Sequence, residues 1–209
     1  MYIAFGLSKG RDMRIIKLIV SSALAGIAIS IGGIAFLVSG QAWTFPIGLF
    51  MVCLFELDLF TGKVSTVERL SRVPDIIIMV ISNMFAAMLM GEVMRYAKPQ
   101  IVDVAVEICT RKIGEGFALI PLAILCNVMI YTAVYSYNNR RSAVRMFGLF
   151  FATFIFVLCG FEHCVANAFY FSLAGMMNGS AVAYLVKNAV FNAVGGIAAY
   201  RLINFTKII

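Results

Sequence analysis

Hydrophobic positions gather into six long runs, and polar residues concentrate between them. The runs lie near residues 18–39, 45–67, 74–94, 116–137, 146–173 and 180–203. A helix needs roughly 20 apolar residues to cross the hydrocarbon of a bilayer. The pattern therefore predicts an all-α integral membrane protein, with six transmembrane helices in one transmembrane domain over 1–209. Lys9, Arg11, Arg14 and Lys17 precede the first run, and no small-residue cleavage site follows early enough for a removable leader. The first run is expected to be a retained span.

Two runs depart from the pattern. The second, FPIGLFMVCLFELDLFTGKVSTV (45–67), carries Glu56, Asp58, Thr61, Gly62 and Lys63 at membrane depth. The fifth holds GFEHCVANAF (160–169), with Glu162, Asn167 and the only histidine of the chain, His163. Backbone in hydrocarbon must satisfy its own hydrogen bonds, and ionisable side chains there are costly unless they face a path or each other. Both runs are therefore expected to be broken helices, the first permitted to break by Gly62. The other spans are ordinary apolar helices with small residues, such as GIAISIGG (26–33), that suit close packing.

A weak internal repeat accompanies the breaks. LFELDLF (54–60) and GFEHCVANAF (160–169) each carry Phe-Glu in an apolar run. SNMFAA (82–87) and FNAVGG (191–196) each carry an Asn followed, after two residues, by two small ones. Glu56 to Asn83 is 27 positions and Glu162 to Asn192 is 30. Repeat one is expected at about 18–94 and repeat two at about 116–203. Three spans per copy turn the copies upside down relative to each other. Paired broken helices in such inverted repeats mark a substrate site.

Charge orients the spans. With the N-terminus inside, inside segments carry eleven basic residues: Lys9, Arg11, Arg14, Lys17, Arg69, Arg72, Arg140, Arg141, Arg145, Arg201 and Lys207. Outside loops carry four: Arg95, Lys98, Arg111 and Lys112. The bias predicts both termini in the cytoplasm. The same clustering at span ends accounts for the net charge of +7 and argues against nucleic acid as a partner. At 62% hydrophobic and 13% charged residues, with mean hydropathy +0.96, the chain is far from a soluble domain. Its five cysteines form no CxxC pair and say nothing of an oxidising compartment.

Each polar residue also has a plainer reading. A lone imidazole in a span ties helices together, Glu162 and Asp58 accept backbone N–H groups at a break, and Asn83, Asn127 and Asn192 serve as interhelical ties. Lys112, at a span entrance, snorkels. Glu162, His163 and Cys164 make a poor metal site, because adjacent residues rarely converge on one ion. No cofactor is expected.

Taken together, four places resemble the formate/nitrite transporter family: LDLFTGK (57–63), ILCN (124–127) with Lys112 upstream, GFEHCVANAF (160–169) and FNAVGG (191–196). The resemblance spans all six runs. It implies an aquaporin-like fold, a homopentamer with a pore in each subunit, and a cell inner membrane location. It implies passage of small monovalent anions such as formate, nitrite or hydrosulfide, or larger monocarboxylates. On the matching positions it implies hydrophobic constrictions at Phe45, Leu49, Leu59, Phe60 and Phe156. The substrate pathway it implies holds His163, Thr61, Lys112, Asn192, Asn127 and Glu162. The chain departs from the family at Glu56, where a small residue is common, at Lys63, where Asn or Ser is common, and in the short AGMMNGS (174–180) loop. The spacing to Asn127 leaves Arg111 a rival to Lys112.

The expected activity is passive or proton-coupled transport rather than catalysis. Lys112 or Arg111 attracts the anion, His163 shares or donates a proton between the constrictions, and the neutral acid passes. A purely structural membrane scaffold would not need two broken polar spans, and beside it two other classes stay open. One is a membrane enzyme using Cys164 and His163 as a thiol–imidazole pair, which helix geometry disfavours. The other is a water or glycerol channel of the same architecture.

Overall fold

The structure, a computed structural model, describes residues 2–67, 69–139 and 143–207. Arg140 and Arg141, expected on the inside, lie outside the described residues. The described residues are helical, with no strand. Nine α-helices follow one another among them: α1 Tyr2–Ser39, α2 Pro46–Leu54, α3 Phe60–Lys63, α4 Val73–Ala97, α5 Val102–Gly114, α6 Leu119–Asn139, α7 Ala143–Leu158, α8 Cys164–Leu173 and α9 Gly179–Phe205.

Four stretches are long and apolar enough to cross a membrane: Asp12–Ser39, Val73–Ala97, Gly116–Asn139 and Gly179–Phe205. The second and fifth apolar runs are instead each divided, α2 from α3 and α7 from α8. Exposed Ile77, Ile81, Phe85, Leu89 and Val93 line one face of α4, and Val182, Val186, Val190 and Val194 one face of α9. Such bare apolar rows belong to a chain whose solvent is lipid.

Glycine sets how closely the long helices meet. α1 packs on α4 at Gly26, where a Cβ would strike the Asn83 backbone, and α6 packs on α9 at Gly195, where it would strike the backbone of Ile124. Without hydrocarbon–water contrast to drive them together, membrane helices depend on such close backbone approach. α1, α4, α5 and α9 pack around α8, in which every residue from Cys164 to Leu173 is buried.

One end of the bundle is basic. Arg14, Lys17, Lys63 and Arg72 line one cavity there, and Thr66 at its edge also borders a second cavity lined by Lys207. The start of α1 and the end of α9 therefore share an end.

Candidate functional site

The two divided runs are built alike. α2 ends with the Leu57 N–H on the Val52 carbonyl at 2.9 Å, and α7 with the Phe161 N–H on the Phe156 carbonyl at 2.9 Å. Between them stands one left-handed residue, Glu56 (φ 53°) in the first and Gly160 (φ 67°) in the second. This is the six-to-one closure of a helix C-terminus. Gly62, expected to permit the first break, lies inside α3, and Glu56 makes the turn instead.

An asparagine then fastens each loose segment. Asn83 accepts the Phe60 N–H at 2.8 Å and donates to the Asp58 carbonyl at 3.0 Å and the Ser22 carbonyl at 2.7 Å. Asn192 accepts the Cys164 N–H at 3.0 Å and donates to the carbonyls of Glu162 and Ala123, both at 2.8 Å. The amides close the backbone accounts that hydrocarbon would leave open. They also set the register: Asp58, not Glu56, answers to Glu162, and Leu59 answers to His163. Asn192 thus spends its amide on backbone, as a tie between segments.

His163 and Thr61 meet at the centre. The Nε2 of His163 lies 2.9 Å from Thr61 Oγ1, both side chains buried. Nδ1 accepts the Ala166 N–H at 3.2 Å, capping α8. A neutral imidazole whose Nδ1 accepts carries its proton on Nε2, so Nε2–H donates to Thr61. The Thr61 hydroxyl hydrogen is left over. Both ring nitrogens are engaged away from Cys164, which gives the thiol–imidazole pair no geometry.

On one side of this contact is a cavity of about 260 Å³, lined among others by His163, Phe45, Phe156, Arg111, Lys112 and Asn167. Phe45 and Phe156 meet edge to face, centroids 5.4 Å apart, and Phe156 stacks 5.9 Å from the His163 ring. A second cavity, of about 350 Å³, is lined by Leu59, Gly62, Lys63 and Glu56, from the segment that carries Thr61. Leu49 and Phe60 are buried beside these residues in the same core.

Lys112 and Glu162 form a buried ion pair, with Nζ 2.6 Å from Oε2. Asn167 donates to the same oxygen at 2.6 Å and to Asn188 Oδ1 at 2.7 Å, and Asn188 donates to the Glu162 carbonyl at 2.7 Å. Arg111, on the rim, has no hydrogen bond or ion pair among the described residues. Beyond the pair, Tyr184 donates to Glu115 at 3.0 Å. Burial, and then the charge of Glu162, hold Glu115 above the usual carboxylate range. Asn127 is buried with neither amide atom partnered. Asn188 is absent from the sequence-based set. Its spacing of four from Asn192 puts both on one face of α9, and this is the signal that marks it.

The chain belongs to the formate/nitrite transporter family, whose model matches residues 3–206. It is similar to the formate-nitrite transporter of Plasmodium falciparum, 28% identical over 185 residues that make up 77% of this chain and 60% of that protein. It is similar to the formate channel FocA of Haemophilus influenzae, 28% identical over 153 residues, covering 66% of this chain and 53% of that one. The matched region thus spans between half and two thirds of these relatives' length. In fold it is similar to a solved pentameric formate channel with formate bound, with a TM-score of 0.74, 19% identity, and coverage of 96% of this chain and 98% of the other. The relatives are membrane transporters and channels, and the long apolar helices agree with a multi-pass membrane protein.

Proposed function

We propose that this chain forms, as a homopentamer, one pore per subunit for a small monovalent weak-acid anion of the formate or nitrite class. Six crossings in two inverted three-helix units carry it, in an aquaporin-like arrangement of the cell inner membrane with both termini cytoplasmic. The observation that carries the reading is the Thr61–His163 hydrogen bond, with a cavity bearing Arg111 and Lys112 against the imidazole and a second cavity against Leu59 and Gly62, the neighbours of Thr61 in its segment. The similar formate channels and the matching basic end of the bundle support it.

The anion enters the 260 Å³ cavity under the field of Arg111. Lys112 is largely neutralised by Glu162, and its main work is holding the second interruption. At the centre, Thr61 spends its oxygen on the His163 Nε2–H and donates its own hydrogen to the anion. His163 shares its proton through this bond. Full loss would leave an imidazolate, far too basic to persist, so the proton crossing with the anion comes from the aqueous side. The neutral acid, unlike the anion, crosses Phe45, Phe156 and Leu59 without a large desolvation cost.

The test is uptake of formate, nitrite, hydrosulfide, acetate and lactate by proteoliposomes, with and without an inward proton gradient. Gradient-stimulated flux of one or two of them is expected, and its loss in His163→Phe at neutral pH. Passage of water or glycerol with no anion flux would keep the fold and discard the mechanism. Arg111→Ala should lower flux most at low substrate.

A further inference from the structure

A cavity of about 520 Å³ lies between α1, the turn after α3 and the start of α4, and adjoins the 350 Å³ cavity through Lys63 and Thr66. α1 contributes Arg14, Lys17 and Ser21, spaced by three and four residues and so on one face. The first interruption contributes Asp58 and Lys63, and the approach to α4 contributes Arg72 and Asp75. Four cations against two carboxylates leave an excess of two positive charges on this described lining.

The carboxylates are unevenly shared. Arg14 takes Asp75 with two hydrogen bonds, at 2.9 and 3.0 Å. Arg72 stands 3.9 Å from the same carboxylate and Lys63 stands 3.7 Å from Asp58, both beyond hydrogen-bond length. Lys17 has no hydrogen bond or ion pair among the described residues. Three cations with donors to spare therefore face one concave space. They repel one another unless an anion lies between them.

Depth and floor narrow the ligand. The apolar stretches of α1 and α4 begin at Asp12 and Val73, so the cavity sits where both helices leave the bilayer. Leu18, Ile76 and Met79 give it an apolar floor beneath the cationic rim. A phosphate, with several acceptor oxygens and negative charge, suits three spare donors.

We propose that this cavity binds a phosphate group, as a monoester or diester, held by Lys17, Lys63 and Arg72, with Arg14 fixed by Asp75 as its wall. Lys63 also lines the 350 Å³ cavity beneath Leu59 and follows Thr61 by two residues. An occupied site thus restrains the segment that carries Thr61.

The test reads binding, not flux, so it stands apart from the transport proposal. In one arm, the detergent-purified protein is titrated with phosphatidylglycerol or phosphatidylcholine, and bound lipids are counted by native mass spectrometry. In the other, thermal stability in phosphatidylcholine nanodiscs is compared in inorganic phosphate and in chloride at equal ionic strength. Preferential retention of phosphatidylglycerol identifies a lipid headgroup, and stabilisation by phosphate identifies a soluble ligand. Lys17→Gln and Arg72→Gln should each weaken the effect about fivefold, and Lys17→Arg should restore it. Lys17 is exposed, so its variants are expected to fold, which unchanged elution checks. No preference in either arm, or variants that bind like the parent, would overturn the proposal.

Discussion

At Phe55–Phe60 and at Cys159–Cys164 the backbone follows one course with different side chains. Each segment leaves a helix through a left-handed residue, extends through Leu59 (φ −90°, ψ 125°) or His163 (φ −101°, ψ 113°), and is tied by an asparagine from a long helix. Each has a carboxylate at the matching place, Asp58 or Glu162, with a lysine near it. The surroundings diverge. Lys63 and Asp58 are 50% and 28% exposed and 3.7 Å apart, whereas Lys112 and Glu162 are 8% and 1% exposed and tightly bonded. The second interruption leads into ten buried residues, the first into a single helical turn. The shared frame solves a backbone problem. The imidazole and the dry ion pair are present at the second interruption alone.

The sharpest way to break this comparison is to remove a lysine from each side. Lys112→Met leaves Glu162 charged and buried, and should destabilise the protein by about 3–5 kcal/mol, read by thermal or denaturant unfolding in detergent. The double variant Lys112→Met with Glu162→Gln should be milder than the sum of the two single changes. The asparagines come next. Asn192→Ala strands several backbone groups and should cost about 3 kcal/mol by the same measurement, with Asn83→Ala less damaging because Asp58 is partly open to water. A larger loss at Asn83 would mean that the first interruption is the more sealed of the two.

Smaller effects sharpen the comparison. Glu56 holds a left-handed conformation that costs an L-residue about 1–2 kcal/mol. Glu56→Gly should therefore stabilise the protein by about 1 kcal/mol after the entropy of glycine is counted, raising the unfolding midpoint. Gly160→Ala should do the reverse. Lys63→Met should cost less than about 1 kcal/mol, since its pair is loose and wet.

Apolar runs made the four long helices legible. Twenty apolar residues in succession leave few options, and the basic residues mark one end of the bundle. The broken runs were legible because Glu162, His163 and Asp58 are too polar to sit idle in hydrocarbon, and family resemblance singled out Thr61 and Lys112. What stayed hidden depended on contacts distant in sequence. Phe-Glu pairs suggested Glu56 as the counterpart of Glu162, but the hydrogen bonds of Asn83 and Asn192 align Asp58 with Glu162 instead. Gly62 looked like the hinge because glycine tolerates positive φ, yet the turn falls on Glu56.

Along the chain, composition and spacing determined the solvent, the number of apolar runs and the candidate polar residues, because transfer from water to lipid depends on side chains counted locally. Tertiary structure decided the pairings. Lys112 reaches Glu162 across fifty positions and Thr61 reaches His163 across 102. Whether a lysine attracts a substrate or neutralises a carboxylate, and which imidazole nitrogen holds the proton, depend on which atom lies within about 3 Å, and that follows from how the helices pack.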